Sequence, residues 1–272
     1  MSNSPLPLPG PLWLIGCGNM AGAMLARWLE CGIDRRQVTV VRPSGRPVGE
    51  GVRVLTTLPE DEVPALLLLG VKPQKLDEVA PALAPVLDSG TILVSILAGV
   101  ELATLRARFA APRAIVRAMP NTPVRLGKGV VDLHSDAAEG SARDVVSALM
   151  APLGHAEWFE GEAAFALAGH LTGAGPAFVY RFIDALAEAA AQLGLSEDQA
   201  LRLARAMVDG AGALAAVSPD SPAELARRVA SPGGTTEAGL AVLDAEEALS
   251  KLIFATLDAS RRRGIELAEA AR

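Results

Sequence analysis

The sequence predicts an α/β chain in two parts: a doubly wound, mostly parallel sheet over residues 1–161, then an all-α half over residues 162–272. Three observations predict it. The apolar run Leu12–Ile15 breaks at Gly16-Cys17-Gly18 and passes into a helical pattern at Asn19. Up to about residue 160, short apolar runs alternate with helical patterns, as parallel strands joined by crossover helices require. After Gly161 the runs stop and long, alanine-rich helical patterns take over.

Taken in order, the strand-like runs are Leu12–Ile15, Gln37–Val41, Val52–Leu55, Ala65–Val71, Thr91–Leu97, Ala114–Ala118, Gly129–Leu133 and Ala156–Phe159. Helical patterns lie at Asn19–Glu30, Pro73–Leu87, Leu102–Phe109 and Ala137–Met150. In the second half they lie at Gly175–Leu193, Glu197–Ala216, Pro222–Val229 and Glu246–Ala270. Gly194 is a helix stop and Ser196 the next N-cap. Gly175–Leu193 carries small or apolar residues on most faces, and a helix apolar all round is a buried one. So short a domain can hardly bury several such helices alone, so this half is expected to pack on a second subunit; the competing reading is a self-contained bundle that uses many alanines.

Composition narrows the classes. Half of the residues are hydrophobic and 4% aromatic, so the cores rest on Ala, Leu and Val. The net charge of −6 argues against nucleic acid as partner. Arg261-Arg262-Arg263 reads as a solvated helix end. Cys17 and Cys31 make no disulfide framework and read as reduced, cytosolic thiols. The stretch from Ser2 to Pro9 lacks a basic region and a long apolar core, so it reads as a loose tail rather than a signal peptide. No apolar run reaches membrane-spanning length, and no metal motif is present.

The chemistry is carried by loops. Gly16 permits a tight turn, Gly18 lets the backbone approach a pyrophosphate, and Ala21 is the small residue where helix and strand pack. The helix N-terminus beyond them, at Asn19 and Met20, offers free N–H groups to phosphate. This is a Rossmann-like dinucleotide loop, in the strand–helix context that supports it. An acid about 20 positions on would hold an NAD ribose, but Val40-Val41-Arg42-Pro43-Ser44-Gly45-Arg46 contains none. Arg42, Ser44 and Arg46 suit a 2′-phosphate, which favours NADPH, with NADH as the alternative. Three more loops leave strand C-termini, where ligands of such sheets sit: Val71-Lys72-Pro73, Ser95 to Gly99 with Ala98, and Met119 to Pro123. In the last, two prolines stiffen Asn121-Thr122, so that an amide can face a nicotinamide. A second glycine loop, Ser231-Pro232-Gly233-Gly234-Thr235-Thr236, joins two helical patterns. N–H groups at Gly233, Gly234 and Thr235 can form an anion nest for a small carboxylate, and Thr236 adds a hydroxyl. The competing reading is a helix C-cap followed by an N-cap.

Together these segments resemble pyrroline-5-carboxylate reductases from Leu12 to Glu269. The most specific matches are Met119-Pro120-Asn121-Thr122-Pro123 and Ser231-Pro232-Gly233-Gly234-Thr235-Thr236, in this order and spacing. The resemblance implies an N-terminal NAD(P)H domain and a C-terminal domain that interlocks with a partner in a homodimer or larger homo-oligomer. It implies cofactor contacts by Asn19, Met20, Lys72, Pro73 and Asn121, and a substrate carboxylate held by Gly233, Gly234 and Thr235. Thr236 matches the threonine that hydrogen-bonds the ring nitrogen. The chain departs from the pattern at Thr172-Gly173-Ala174, at Ala166 to His170, and near Thr57-Leu58.

The implied reaction is hydride transfer to the C=N carbon of a cyclic imino acid, with positioning and fixed electrostatics supplying the rate. His134 and His155 read as structural, and so does His170, for which a place in the pocket wall is the alternative. Two rivals remain. A reductase of a related imine or of a β-hydroxy acid is one, but the latter needs a helix lysine that Gly175–Leu193 lacks. A non-catalytic nucleotide sensor is the other, but it has no need of Ser231 to Thr236.

Overall fold

The computed structural model describes residues 6–270, without the side chains of 267–270. Its elements are β1 Leu12–Ile15, α1 Asn19–Glu30, β2 Val38–Val41, β3 Arg53–Leu55, β4 Leu66–Leu69, α2 Leu76–Leu83, β5 Ile92–Ser95, α3 Leu102–Arg108, β6 Ala114–Pro120, β7 Gly129–His134, α4 Ser141–Met150 and β8 Gly154–Phe159. The helices α5 Glu162–Thr172, α6 Gly175–Gln192, α7 Glu197–Val217, α8 Pro222–Val229, α9 Thr235–Asp244 and α10 Ala248–Ala270 follow.

The eight strands form one sheet in the order β3-β2-β1-β4-β5-β6-β7-β8. It is parallel except where β7 runs antiparallel to β6. Every residue of β1, β2, β4 and β5 is buried, as a sheet covered on both faces demands. Alternate residues feed two cores. Leu12, Leu14, Val38, Val40, Leu66 and Leu68 meet Met24, Leu25 and Trp28 of α1. On the other face Trp13, Ile15, Leu67, Leu69 and Leu93 meet α2 and α3 through Leu76, Leu83, Leu102 and Leu105.

Each apolar run becomes a strand, and the differences from expectation are local. The pattern at 73–87 is broken into a 3₁₀ turn at Pro73–Lys75, α2, and a second turn at Ala84–Val86; Pro81 and Pro85 remove backbone donors there. Helix α4 starts at Ser141 rather than Ala137. The Ser135 hydroxyl instead accepts the Ala137 and Ala138 N–H groups, and Gly140 sits at φ 48°. Two helices, α5 and α9, were not expected. Of the proline-rich start, Leu6 and Leu8 pack on the first core rather than hanging loose, while residues 1–5 lie outside the described set.

By internal contacts the chain forms two compact units, one reaching to Ala174 and including Arg263 onward, the other Gly175–Arg262. The first includes α5, beyond the expected boundary at 161. Phe165 of α5 is buried beside His134 and beneath the Arg117 guanidinium, 4.6 Å from its ring centre. In the second unit α6 and α7 pair through Ala187, Ala200 and Ala204, the only buried residues among those described there. Gly194, at φ 116°, turns the chain between them, and the Ser196 hydroxyl caps α7 at Gln199 N. Helix α6, expected to be buried all round, is largely exposed within the single chain: only Ala187 is covered. No described helix is long and apolar enough to cross a membrane.

Candidate active site

The order of the sheet reverses direction between β1 and β4, which opens a crevice at the C-terminal strand ends. Gly16 turns there at φ 80°, and a Cβ on it would stand 2.9 Å from the Gly70 carbonyl beyond β4. No side chain larger than hydrogen fits. Ala21 lies against Gly70, where an added Cβ would come within 3.1 Å of it; this is the close helix–strand contact expected of the third small residue. Gly18 is the N-cap of α1, with no side-chain cap and no acid in the first turn. A Cβ on Gly18 would meet nothing within 4 Å. Open space over unclaimed N–H groups of the positive helix end fits a pyrophosphate.

Asn19 is exposed and Met20 half-buried beside this loop. Arg42 leaves β2 with its N–H donating to Leu55 O (2.9 Å). Its positive charge acts on the Cys17 thiol, lowering a pKa that burial raises, so a cation stands near the glycine loop. Ser44 is exposed in the same turn, where its hydroxyl accepts the Arg46 N–H. Val71 is half-buried. Lys72 opens the turn at Pro73 and is exposed, with no partner among the described residues. Ala98 is exposed, and Gly99 follows at φ 74°.

Two expected cofactor residues are buried and hydrogen-bonded within the protein. Ser95 is buried, and its hydroxyl accepts the Leu97 N–H. Asn121 is also buried: Oδ1 accepts the Val130 N–H (2.8 Å) and Nδ2 donates to the Thr172 carbonyl (2.9 Å). Its amide brackets β6, β7 and α5 rather than reaching outward to a nicotinamide. A buried amide with both ends satisfied stays where it is.

In the second unit the loop before α9 is only partly the expected nest. Gly233, at φ 69°, gives its N–H to the Glu237 carboxylate (2.7 Å). Gly234 gives its own to the Ser231 carbonyl (2.9 Å). The donors left over are the first N–H groups of α9, at Thr235 and Thr236, where Gly234 is an N-cap without a side-chain cap. The Thr236 hydroxyl is half-buried and has no partner among the described residues. The Glu237 bond is itself informative, because a carboxylate already rests on this loop.

Reading residue types missed the polar contacts that α5 makes. Arg117, buried in β6, pairs with Glu162 at the start of α5, and the other Glu162 oxygen takes the Leu102 N–H (2.9 Å). Burial pulls the Arg117 pKa down and Glu162 pulls it back up. A lone arginine in the apolar run 114–118 was the available signal. Glu162→Ala should cost about 2–3 kcal/mol, less than a fully buried pair, because Glu162 is 38% exposed. Urea unfolding measures it. Among the described residues no three His, Cys, Asp or Glu side chains cluster as a metal site requires.

Residues 162–267 match the family model described as pyrroline-5-carboxylate reductase dimerisation. Residues 12–99 match that described as NADP oxidoreductase coenzyme F420-dependent. A pyrroline-5-carboxylate reductase of Pseudomonas aeruginosa is 36% identical, covering 94% of this chain and 96% of the relative. One from Pisum sativum is 34% identical, covering 92% and 94%. A solved pyrroline-5-carboxylate reductase from Coxiella burnetii superposes with a TM-score of 0.87 at 28% identity, covering 96% of this chain and 99% of that one. One from Plasmodium falciparum, solved with NADP bound, has the same fold at a TM-score of 0.81 and 23% identity, covering 96% and 98%.

Proposed function

The chain belongs to the pyrroline-5-carboxylate reductase family, and from that premise we propose how its residues perform the reaction. It is an NAD(P)H-dependent oxidoreductase that reduces 1-pyrroline-5-carboxylate to L-proline in proline biosynthesis. NADPH, when bound, supplies the hydride that reaches the imine carbon, and the nitrogen takes one proton from water.

Gly16, Gly18, Asn19 and Met20 hold the pyrophosphate, while Val71, Lys72, Pro73 and Ala98 line the cofactor crevice. Arg42 and Ser44 receive the 2′-phosphate. Asn121 and Ser95 shape this edge from within. The α9 N-terminus, through Thr235 and Thr236, takes the substrate carboxylate on a loop set by Gly233 and Gly234, and Thr236 aligns the ring nitrogen. No strong protein acid is needed, because a protonated imine accepts hydride readily. The observation that carries this reading is one chain holding both an uncapped, acid-free α1 N-terminus behind Gly16 and a second glycine loop opening α9.

Arg42→Ala tests the cofactor assignment. It should raise KM for NADPH at least about tenfold, the loss of one charge-assisted contact, and leave KM for NADH within about twofold. Equal effects on both would remove the 2′-phosphate role.

The second unit is proposed to pair with a second copy of the chain. Val242, Leu252 and Phe254 are 72%, 63% and 73% exposed, and so much apolar surface on helices marks an interface. The family model for residues 162–267 describes dimerisation. A cytoplasmic place is proposed on Cys17 and Cys31, both free thiols.

A further inference from the structure

Asp132 lies in the middle of β7 between Val131 and Leu133 and is 1% exposed. It stands opposite Met119 of β6, on the face that α5 covers. Met119 packs there on Gly169 and Gly173, and Thr172, the last residue of α5, meets Asp132 Oδ2 through its hydroxyl. Oδ1 is buried with no hydrogen-bond partner among the described residues. No described lysine or arginine pairs with this carboxyl. The Thr172 hydroxyl therefore stands between two acceptors, Asp132 Oδ2 and the Ala168 carbonyl at 3.0 Å, and a hydroxyl has one hydrogen to give.

A proton on Asp132 ends the competition for the Thr172 hydrogen, and it leaves Oδ1 a neutral carbonyl oxygen, which costs less to bury unpartnered than a carboxylate oxygen. The carboxylic O–H donates to Thr172 Oγ1, and the Thr172 hydrogen goes on to Ala168. No uncompensated charge is then buried. We infer that Asp132 is held as a neutral carboxylic acid at pH 7 and serves as a positioning residue. It fixes the last turn of α5 on β7, so that the Thr172 carbonyl stays on the Asn121 amide and the strand-end loop from Met119 to Pro123 keeps its shape. The chain of contacts is Asp132–Thr172–Asn121–Val130.

The surroundings agree. Ionisable groups on the elements packed against β7 are Arg117 on β6, Arg125 in the turn Thr122–Leu126, His155 and Glu157 on β8, and Glu162 and His170 on α5. Arg117 is paired with Glu162 and Arg125 with Glu30. Burial raises the Asp132 pKa; the Thr172 hydrogen bond lowers it less, and Glu157 and His155 act with opposite signs. A folded pKa above the unfolded value means that stability is fully present below the unfolded pKa, near 4, and is lost as pH rises through the folded pKa.

The test uses the full-length protein and two variants. Infrared spectra at pH 7 should show a protonated-carboxyl stretching band in the parent that Asp132→Asn lacks; identical spectra overturn the proposal. Asp132→Asn, whose amide can donate to Thr172 as the acid does, should unfold with a flatter dependence on alkaline pH and keep kcat/KM within about twofold. Asp132→Ala should lower kcat/KM about tenfold, as loss of one buried hydrogen bond implies. If Asn is as impaired as Ala, a carboxylate is required and the neutral acid is refuted. If neither variant changes kinetics, the positioning role is refuted. Should Asp132→Ala fail to fold, the spectra and the Asn profile still decide. Only the kinetic arm rests on the reductase reading; the spectra and unfolding need no turnover, so failure of one is separable from failure of the other.

Discussion

Thr236→Ala should lower kcat/KM for 1-pyrroline-5-carboxylate about a hundredfold and leave the Kd for NADPH unchanged within about twofold. The size is that of removing one donor aimed at the reacting centre. The position makes the experiment clean. Thr236 is in the first turn of α9, half-buried, with its hydroxyl unclaimed among the described residues. Alanine is the better helix former, so the fold loses nothing. The cofactor loop is elsewhere in the chain, so binding of NADPH is an internal control. Stopped-flow reduction and a fluorescence titration of NADPH give the two numbers. Turnover equal to the parent's would take Thr236 out of the mechanism.

Phe254→Asp should convert the proposed dimer to monomers at micromolar concentration, raising the dissociation constant at least about a thousandfold. Burying one large apolar side chain is worth about 1.5–3 kcal/mol, and a twofold interface contains each substitution twice. The doubled loss, before the cost of placing a carboxylate there, is about 3–6 kcal/mol, against about 4 kcal/mol for a thousandfold change. The second unit has little else to rely on, since only three alanines are buried within it among the described residues. Its thermal unfolding should therefore drop together with the assembly. Sedimentation velocity reads the mass; an unchanged dimer would place the interface elsewhere.

The sheet was legible because parallel strands buried on both faces must be continuous apolar runs, and Leu66–Leu69 or Ile92–Ser95 can be little else. The cofactor loop was legible because Gly16 answers a backbone demand, a positive φ against Gly70. Helices α5 and α9 were missed for a shared reason. Glu162–Thr172 and Thr235–Asp244 are rich in small residues, and few of their side chains are buried in one chain, so the periodicity that marks a helix is faint. The partners of Asn121 were not legible, because the sequence shows an amide in a stiff loop but not its neighbours. Val130 and Thr172 claim it, and both are brought there by the fold. Glu237 was invisible for the same reason: nothing in the sequence says that its carboxylate reaches back to Gly233.

Direct hydride delivery from the reduced nicotinamide to the cyclic imine carbon is read by turnover of 1-pyrroline-5-carboxylate with NADPH deuterated at the transferring carbon, followed by mass spectrometry of the product. Proline with one deuterium, on the ring carbon that had been doubly bonded to nitrogen, is the expected product. Unlabelled proline, or no proline at all, would rule that transfer out.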